Sequence, residues 1–422
     1  MKKLTITRAM VYHEFSPMTT RYILIAIIIF AALARIVWVL YNGTEFSTEG
    51  DAGLYHRLAL SLSSGKGYNI DGYIPYHRPP GYVFLLTVFY SLAPYVVTGV
   101  IVNIILGVLT VFFIFLLAKE FFGPTVGLVS AAILAVYPPA IGISHMLITE
   151  NLSIFLSIVF ILLLLRALHK PKAIGIMYSV FAGISLGFLI LTRPVFQTAI
   201  LFLPFIIYLI IKSFKRTILV SLFVVIACIL AISPWTIHNY SNYGKLIPVS
   251  TWGATFASSN TPYILENEEY RGWWIPIFPG DYFTQEEKKD LTYIDFWDLN
   301  NDEIFKRAAF RFILNHPSEE LSIVGYKLLF LMIPRAEPKS LAYIVYLISY
   351  YLFLVLTLCG TVLWLKIGGK AFIASLCLIF PYIISEILFF PCIRYSLPIQ
   401  PFLLILSALT LVVVFNIKKE PA

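Results

Sequence analysis

The sequence predicts an all-α polytopic membrane protein of about ten transmembrane helices, with interfacial helices and an outward loop and lid region of mixed structure. Three observations carry that prediction. Of 422 residues, 59% are hydrophobic and 13% charged, more apolar surface than a soluble core absorbs. Ten apolar runs reach the roughly 17–25 residues needed to cross a bilayer. The basic connections between these runs can all be placed on one side, as the positive-inside rule asks.

The runs lie near 21–41, 99–119, 124–143, 150–168, 173–191, 195–212, 216–234, 341–365, 371–390 and 398–416. The first, Arg21–Tyr41, is long enough to span and is followed by no small-residue cleavage site, so it reads as a retained anchor. Two shorter runs, 81–97 and 321–334, are interrupted or flanked by proline and charge and read as interfacial helices. Leaving 81–97 uncrossed puts LAKEFFG, RALHKPK, KSFKR, WLKIGGK and both termini in the cytoplasm. Letting it span would turn two of those basic connections outward.

Two polar segments then face outward, 42–98 and 235–340. The chain divides accordingly into a membrane module over 1–234 that includes the first external loop, an external lid and acceptor region over 235–340, and C-terminal membrane helices over 341–422. Trp235, Trp252, Trp273, Trp274 and Trp297 fall in the second external segment, where tryptophan suits the headgroup level. That segment is expected to begin as a strand or irregular lid (KLIPVSTWGATFASSNTP). It ends in a helix, where Ile304, Ala308 and Phe312 recur at helical spacing.

The net charge of +8 resides largely in the connections, and no clustered aromatic-plus-basic signature marks a nucleic-acid partner. Cys228, Cys359, Cys377 and Cys392 match no metal spacing and read as small core residues.

The residues that suggest chemistry cluster on the outward side. In EGDAGLYHRLALSLSSGKGY, residues 49–68, Glu49 and Asp51 open a helix on which Asp51, Tyr55, Leu58 and Leu62 share one face. Asp51 either caps free N–H groups or serves as a base, and an ionised cap can do both. His77 and Arg78 precede the rigid turn Pro79-Pro80-Gly81. Arg78 either reaches for lipid headgroups or holds a phosphate, which guanidinium can bind at two points. Arg193 and Arg394, at other helix ends, are boundary anchors or further phosphate ligands. Glu150 opens another helix, where Thr149 or Asn151 could cap just as well. His238 reads as a satisfied loop residue, and Glu386 as an acid paired with Arg394.

Taken in order, these pieces are D-x-x-x-Y (Asp51, Tyr55), Gly65-Lys66-Gly67-Tyr68, R-P-P-G-Y (Arg78–Tyr82) and Pro138-Pro139 to Thr149-Glu150-Asn151. L-T-R-P (Leu191–Pro194), S-P-W-T-I-H-N-Y (Ser233–Tyr240), Ser259-Asn260-Thr261-Pro262 and R-Y-S-L-P-x-x-P (Arg394–Pro401) follow. The series resembles the GT-C-type polyprenyl-phosphate-sugar-dependent glycosyltransferases, the superfamily of protein O-mannosyltransferases and lipid A aminoarabinose transferases, through most of the chain. The resemblance implies an inverting transferase on the outer face of the cytoplasmic membrane. Its donor would be a sugar on a polyprenyl phosphate, and its acceptor a lipid, a polysaccharide or a protein. By the same resemblance Asp51 is the general base and Glu150 a second acid or metal-side ligand near the reaction centre. Arg78, Arg193 and Arg394 would hold the donor phosphate, with Tyr55 positioning it or Asp51. His77 stands where some relatives carry an acidic metal ligand, so a divalent metal stays open as a cofactor.

Three other classes compete. A transporter or flippase of lipid-linked sugars would place charges at the bilayer midplane, whereas Arg35 is the only charge well inside a span. A polysaccharide polymerase or ligase would carry its basic and histidine residues in a late outer loop. A scaffold protein would need none of the acid chemistry.

Overall fold

The computed structural model describes residues 16–44, 50–270, 273–275, 282–291, 297–332 and 341–417. Glu49 lies outside them. The helices are α1 (Pro17–Asn42), α2 (Gly50–Ser63), α3 (Gly81–Tyr90), α4 (Val96–Phe122), α5 (Pro124–Val136), α6 (Pro138–Gly142), α7 (Thr149–His169), α8 (Lys172–Thr192), α9 (Ala199–Ile211) and α10 (Phe214–Tyr243). After them come α11 (Gly253–Ser259), α12 (Tyr263–Glu266), α13 (Gln285–Asp290), α14 (Asn301–Asn315), α15 (Pro317–Met332), α16 (Leu341–Ile367), α17 (Leu376–Leu388), α18 (Ile393–Ser396) and α19 (Gln400–Ile417).

Among the described residues eight helices are long and apolar enough to cross, and nine if a bent pair counts as one span. The ten expected runs are all helical, but two depart from a straight full span. The run 124–143 breaks into α5 and the Pro138–His145 segment, bent by 54°. Pro138 and Pro139 lack the N–H groups that would carry α5 onward. The run 398–416 forms α19, whose apolar part, Gln400–Phe415, is shorter than the others.

The run 81–97 does not cross. It makes the 10-residue α3, about 15 Å long at 1.5 Å per residue, half the hydrocarbon thickness. At the other extreme α10 runs 30 residues, about 45 Å, and continues past Pro234. His238 therefore lies on a helix rather than in a loop, its ring stacked on Trp235 at 5.2 Å.

Two apolar cores result. The larger joins α1–α10 to α17 and α19, and the smaller gathers Phe256, Ile264, Phe283, Ile304, Phe305, Ala308 and Phe312 within 254–323. Ile304, Ala308 and Phe312 are buried on α14 as their spacing predicts. No strand occurs among the described residues of 235–340. The segment before Gly253 is irregular, and the part expected as strand or loop contains α11. Cys228 and Cys377 are buried core residues, but Cys359 is exposed on α16.

Helix pairs pack where side chains are absent. A Cβ on Gly183 of α8 would collide with the Val224 carbonyl of α10, and one on Gly187 would lie 2.6 Å from the Ala231 Cβ. Small residues four apart let two membrane backbones touch. Arg35 is 1% exposed, folds back to donate to the Ala31 carbonyl at 3.0 Å, and packs on Gly107.

Candidate functional site

Five sequence motifs converge at one end of the bundle, and glycines make the convergence possible. Gly81, the glycine of R-P-P-G-Y, meets the last turn of α8 so closely that a Cβ would sit 2.8 Å from the backbone at Leu191 and Thr192. That contact seats the turn after Arg78 against the end of α8, and Arg78 and Arg193 line one cavity. Gly65 and Gly67 adopt φ of +77° and +87°, which L side chains rarely take. The turn they make returns Tyr68, whose hydroxyl donates to the Arg78 carbonyl at 3.1 Å. Tyr68 in turn packs edge-on against Trp235 at 4.8 Å.

The charged side chains then interlock. Asp51, in the first turn of α2, accepts from Arg78 Nη2 at 2.7 Å and from Arg394 Nη2 at 2.8 Å, one oxygen to each. Glu150, in the first turn of α7, meets Arg193 Nη1 at 3.2 Å and Arg394 Nε at 3.0 Å. The Thr149 hydroxyl donates to its other oxygen at 3.1 Å. Arg394 thus links the two carboxylates. Arg193 lies over the Tyr395 ring, 4.3 Å from its centroid, and Arg78 lies 6.0 Å from that of Tyr55.

Electrostatics fix the charge states. Burial pushes the Asp51 carboxyl up, but the fields and hydrogen bonds of Arg78 and Arg394 together outweigh it and hold it below its ordinary range. Burial opposes the charge on Arg78 and Arg394, yet Tyr55 and Asp51 around Arg78, and Glu150, Tyr395 and Asp51 around Arg394, raise both above the usual value. Burial keeps the Tyr55 hydroxyl neutral. Three guanidiniums face two carboxylates, leaving one net positive charge.

The cluster opens into a cavity of about 410 Å³, within the size range of small-molecule sites. Asp51, Tyr55, Arg78, Arg193 and Tyr395 line it. Glu150, 1% exposed, lies behind the arginines rather than on that wall. Glu386 lines the cavity but is not paired with Arg394. It accepts the Cys392 N–H at 2.9 Å, while Arg394 is taken up by Asp51 and Glu150.

A divalent metal does not fit this donor set. No group of three or more His, Cys, Asp or Glu side chains is placed to hold one among the described residues. Both acids of the cluster are already bound by guanidiniums, and a cation would add to a net positive site. His77 stacks on Trp297, with centroids 4.3 Å apart. Burial first, then Arg78, pushes its pKa down to about 3, so the ring is neutral.

Thr255, Trp274 and Trp297 bring the expected lid segment onto the cavity wall. Thr251 N–H donates to the Tyr76 carbonyl at 3.0 Å, tying the lid to the first loop. Asn260, from S-N-T-P, donates to the Leu388 carbonyl at 2.9 Å and accepts from buried Lys327 at 2.6 Å. The lid is thereby fastened to the end of α17. Trp274, Trp297 and Tyr395 reach the cavity without having been singled out in the sequence. Tyr395 could have been found, because it follows Arg394 in R-Y-S-L-P. The tryptophans carry no spacing signal.

The family model of dolichyl-phosphate-mannose-protein mannosyltransferases matches residues 77–238, less than half of the chain. No curated protein matches the sequence. Among solved structures, the apo oligosaccharyltransferase of Archaeoglobus fulgidus superposes with a TM-score of 0.59 at 16% identity, covering 94% of this chain and 51% of its own. The Archaeoglobus fulgidus oligosaccharyltransferase AglB in complex with an inhibitory peptide and a dolichol-phosphate gives 0.57 at 16% identity, with the same coverage. ArnT from Cupriavidus metallidurans bound to undecaprenyl phosphate gives 0.44 at 12% identity over 92% of this chain and 77% of its own, too low to add to the assignment. The chain spans about half the length of the archaeal chains it matches. At this identity the likeness shows the fold alone: the chain shares the multi-pass membrane fold of the archaeal oligosaccharyltransferase.

Proposed function

We propose that this chain is an inverting glycosyltransferase that takes a sugar from a polyprenyl-phosphate lipid and passes it to an acceptor at the outer face of the cytoplasmic membrane. One observation carries the reading: Asp51 is held between Arg78 and Arg394 at the wall of a cavity that Arg193 also lines.

A guanidinium that binds a carboxylate through one nitrogen keeps others free for a phosphate. Asp51 and the donor phosphate would then stand one guanidinium apart, with room between them for the anomeric carbon and the attacking acceptor. The acceptor oxygen or nitrogen forms its bond to that carbon as the carbon–oxygen bond to phosphate breaks. The acceptor proton goes to Asp51, and the leaving electron pair stays on the phosphate, where Arg78, Arg193 and Arg394 stabilise it. As phosphate draws on the arginines, Asp51 loses part of the field that depresses its basicity. Donor binding would thus prepare the base.

Glu150 serves in this reading as a positioning residue, orienting Arg193 and Arg394 from behind. The dolichol-phosphate bound by the archaeal oligosaccharyltransferase of the same fold supports a lipid phosphate as the occupant. The flippase alternative draws no support from Arg35, whose Nη1 donates to an intrahelical carbonyl and whose Nε is packed against Gly107 without a hydrogen-bond partner among the described residues.

The test is to delete the protein from its cell and extract the polyprenyl-phosphate sugars. Accumulation of one species names the donor; an unchanged profile refutes the reading.

A further inference from the structure

Beside the ion pairs, the cavity has an aromatic wall that takes no part in them. His77 stacks on Trp297, centroids 4.3 Å apart and planes 21° apart, and Trp297 lies parallel to Trp274, at 6.1 Å and 4°. All three line the cavity. Two of these side chains carry a buried polar atom with no hydrogen-bond partner among the described residues, Trp274 Nε1 and His77 Nδ1. Such atoms are rare in folded proteins because an unmade bond is costly. Thr255 and Ser385 add hydroxyls along the same cavity.

An aromatic wall edged with polar atoms selects among ligand chemistries. A flat apolar group would leave the indole N–H unpaired. A cation, which indole faces attract, would meet the Arg78 and Arg193 guanidiniums in the same cavity. A pyranose ring satisfies both demands, because its C–H face packs on the indoles while its rim hydroxyls reach the two nitrogens. We propose that Trp274, Trp297 and His77 form a sugar-ring subsite adjoining the arginine cluster. The ring has two sources, the donor's own sugar or a sugar of a glycan acceptor, and both present the same chemistry. The donor source rests on the phosphate reading above; the glycan source does not.

The experiment uses the full chain in nanodiscs. The probes are decaprenyl phosphate, decaprenyl-phosphoryl-mannose, decaprenyl-phosphoryl-glucose, and the methyl glycosides of glucose, mannose and galactose. The variants are Trp297→Ala and Trp274→Ala, with Trp297→Phe retaining a ring face. If the subsite takes the donor sugar, a sugar-bearing lipid binds more tightly than the bare phosphate. Trp297→Ala then removes about tenfold of that affinity, Trp297→Phe restores most of it, and decaprenyl phosphate binds equally in all variants, which also certifies folding. If it takes an acceptor sugar, the lipids are unaffected, and saturation-transfer NMR signals from a methyl glycoside disappear in the alanine variants. The proposal is overturned if the wild type binds no glycoside and gains nothing from the lipid's sugar, or if every affinity is unchanged in both alanine variants. Failure of bare decaprenyl phosphate to bind would instead sink the donor-phosphate reading, leaving the glycoside arm to decide the subsite.

Discussion

Replacing Glu150 by Gln separates a positioning role from a catalytic one. Glu150 is 1% exposed and pairs with Arg193 at 3.2 Å and Arg394 at 3.0 Å. Breaking a buried ion pair by removing one partner costs about 3–5 kcal/mol. Here the low end applies, because Gln keeps the shape, Arg394 retains Asp51, and Arg193 retains the Tyr395 face. Part of that cost appears as poorer aim of two guanidiniums at the leaving phosphate. A loss of about 1.4–2.7 kcal/mol in the transition state is a 10- to 100-fold fall in kcat. The same change raises the cluster from one net positive charge to two, so the donor phosphate is attracted at least as strongly as before. Release of polyprenyl phosphate from the donor, followed over time in nanodiscs, gives kcat and the donor KM separately. The expected result is a lower kcat with a donor KM that does not rise, and partial rescue by Glu150→Asp. An unchanged kcat with a KM raised more than tenfold would refute the reasoning, since the charge would then serve ground-state binding alone.

Other consequences follow from the same geometry. Asp51 is depressed below its ordinary value of about 3.9, so its ionised form persists under mild acid, and the stability it contributes is lost only as pH falls through the lower folded value. The kcat/KM profile should therefore show no Asp51 limb at or above roughly pH 4, and Arg394→Gln should move that limb upward; a limb near 6 that persists in Glu386→Gln contradicts the ion-pair picture. His77, held near 3, adds no step around neutrality, so His77→Phe should leave the profile's shape unchanged. Gly81→Val should drive α3 away from Leu191 and Thr192, costing transfer about as much as Arg78→Ala while helical circular dichroism is retained; wild-type transfer would show that the close approach does not set Arg78. Arg311 donates to both Glu287 oxygens at 2.7 Å and to the Tyr282 carbonyl at 2.9 Å. It is about one-third exposed, so Arg311→Met should cost about 1 kcal/mol and speed proteolysis of the lid ahead of the membrane helices.

Much of the site could be read before folding because it is built from charge in an apolar chain. Asp51, Arg78, Arg193 and Arg394 stand out in the sequence as acids and bases at helix ends, and lipid leaves such groups few places to go except to one another. Helix existence was legible for the same reason. The exceptions have local causes. Pro138 and Pro139 broke a run that composition alone made continuous, whereas Pro234 did not stop α10. There Trp235, Thr236 and Asn239 hydrogen-bond to the carbonyls of Val249, Pro248 and Ile247 and hold the extension in place. Glu386 was matched with Arg394 on proximity in sequence, but Asp51 and Glu150 arrive from distant helices and claim that guanidinium. The lid was least legible. Its short helices are fixed by tertiary bonds such as Asp302 accepting from the Trp252 and Gly253 amides at 3.1 and 2.6 Å, and no periodicity announces these. Trp274 and Trp297 read as boundary residues because an indole suits both a headgroup and a cavity wall.

The most direct measurement is the rate of sugar transfer by Asp51→Asn, with binding of bare polyprenyl phosphate followed in parallel. Asparagine preserves the shape but cannot take a proton, so the account predicts a fall of about 10²–10⁴ in kcat with phosphate binding retained or strengthened. Transfer at the wild-type rate with the same binding would mean that Asp51 only neutralises its arginines, and the proposed chemistry would be wrong.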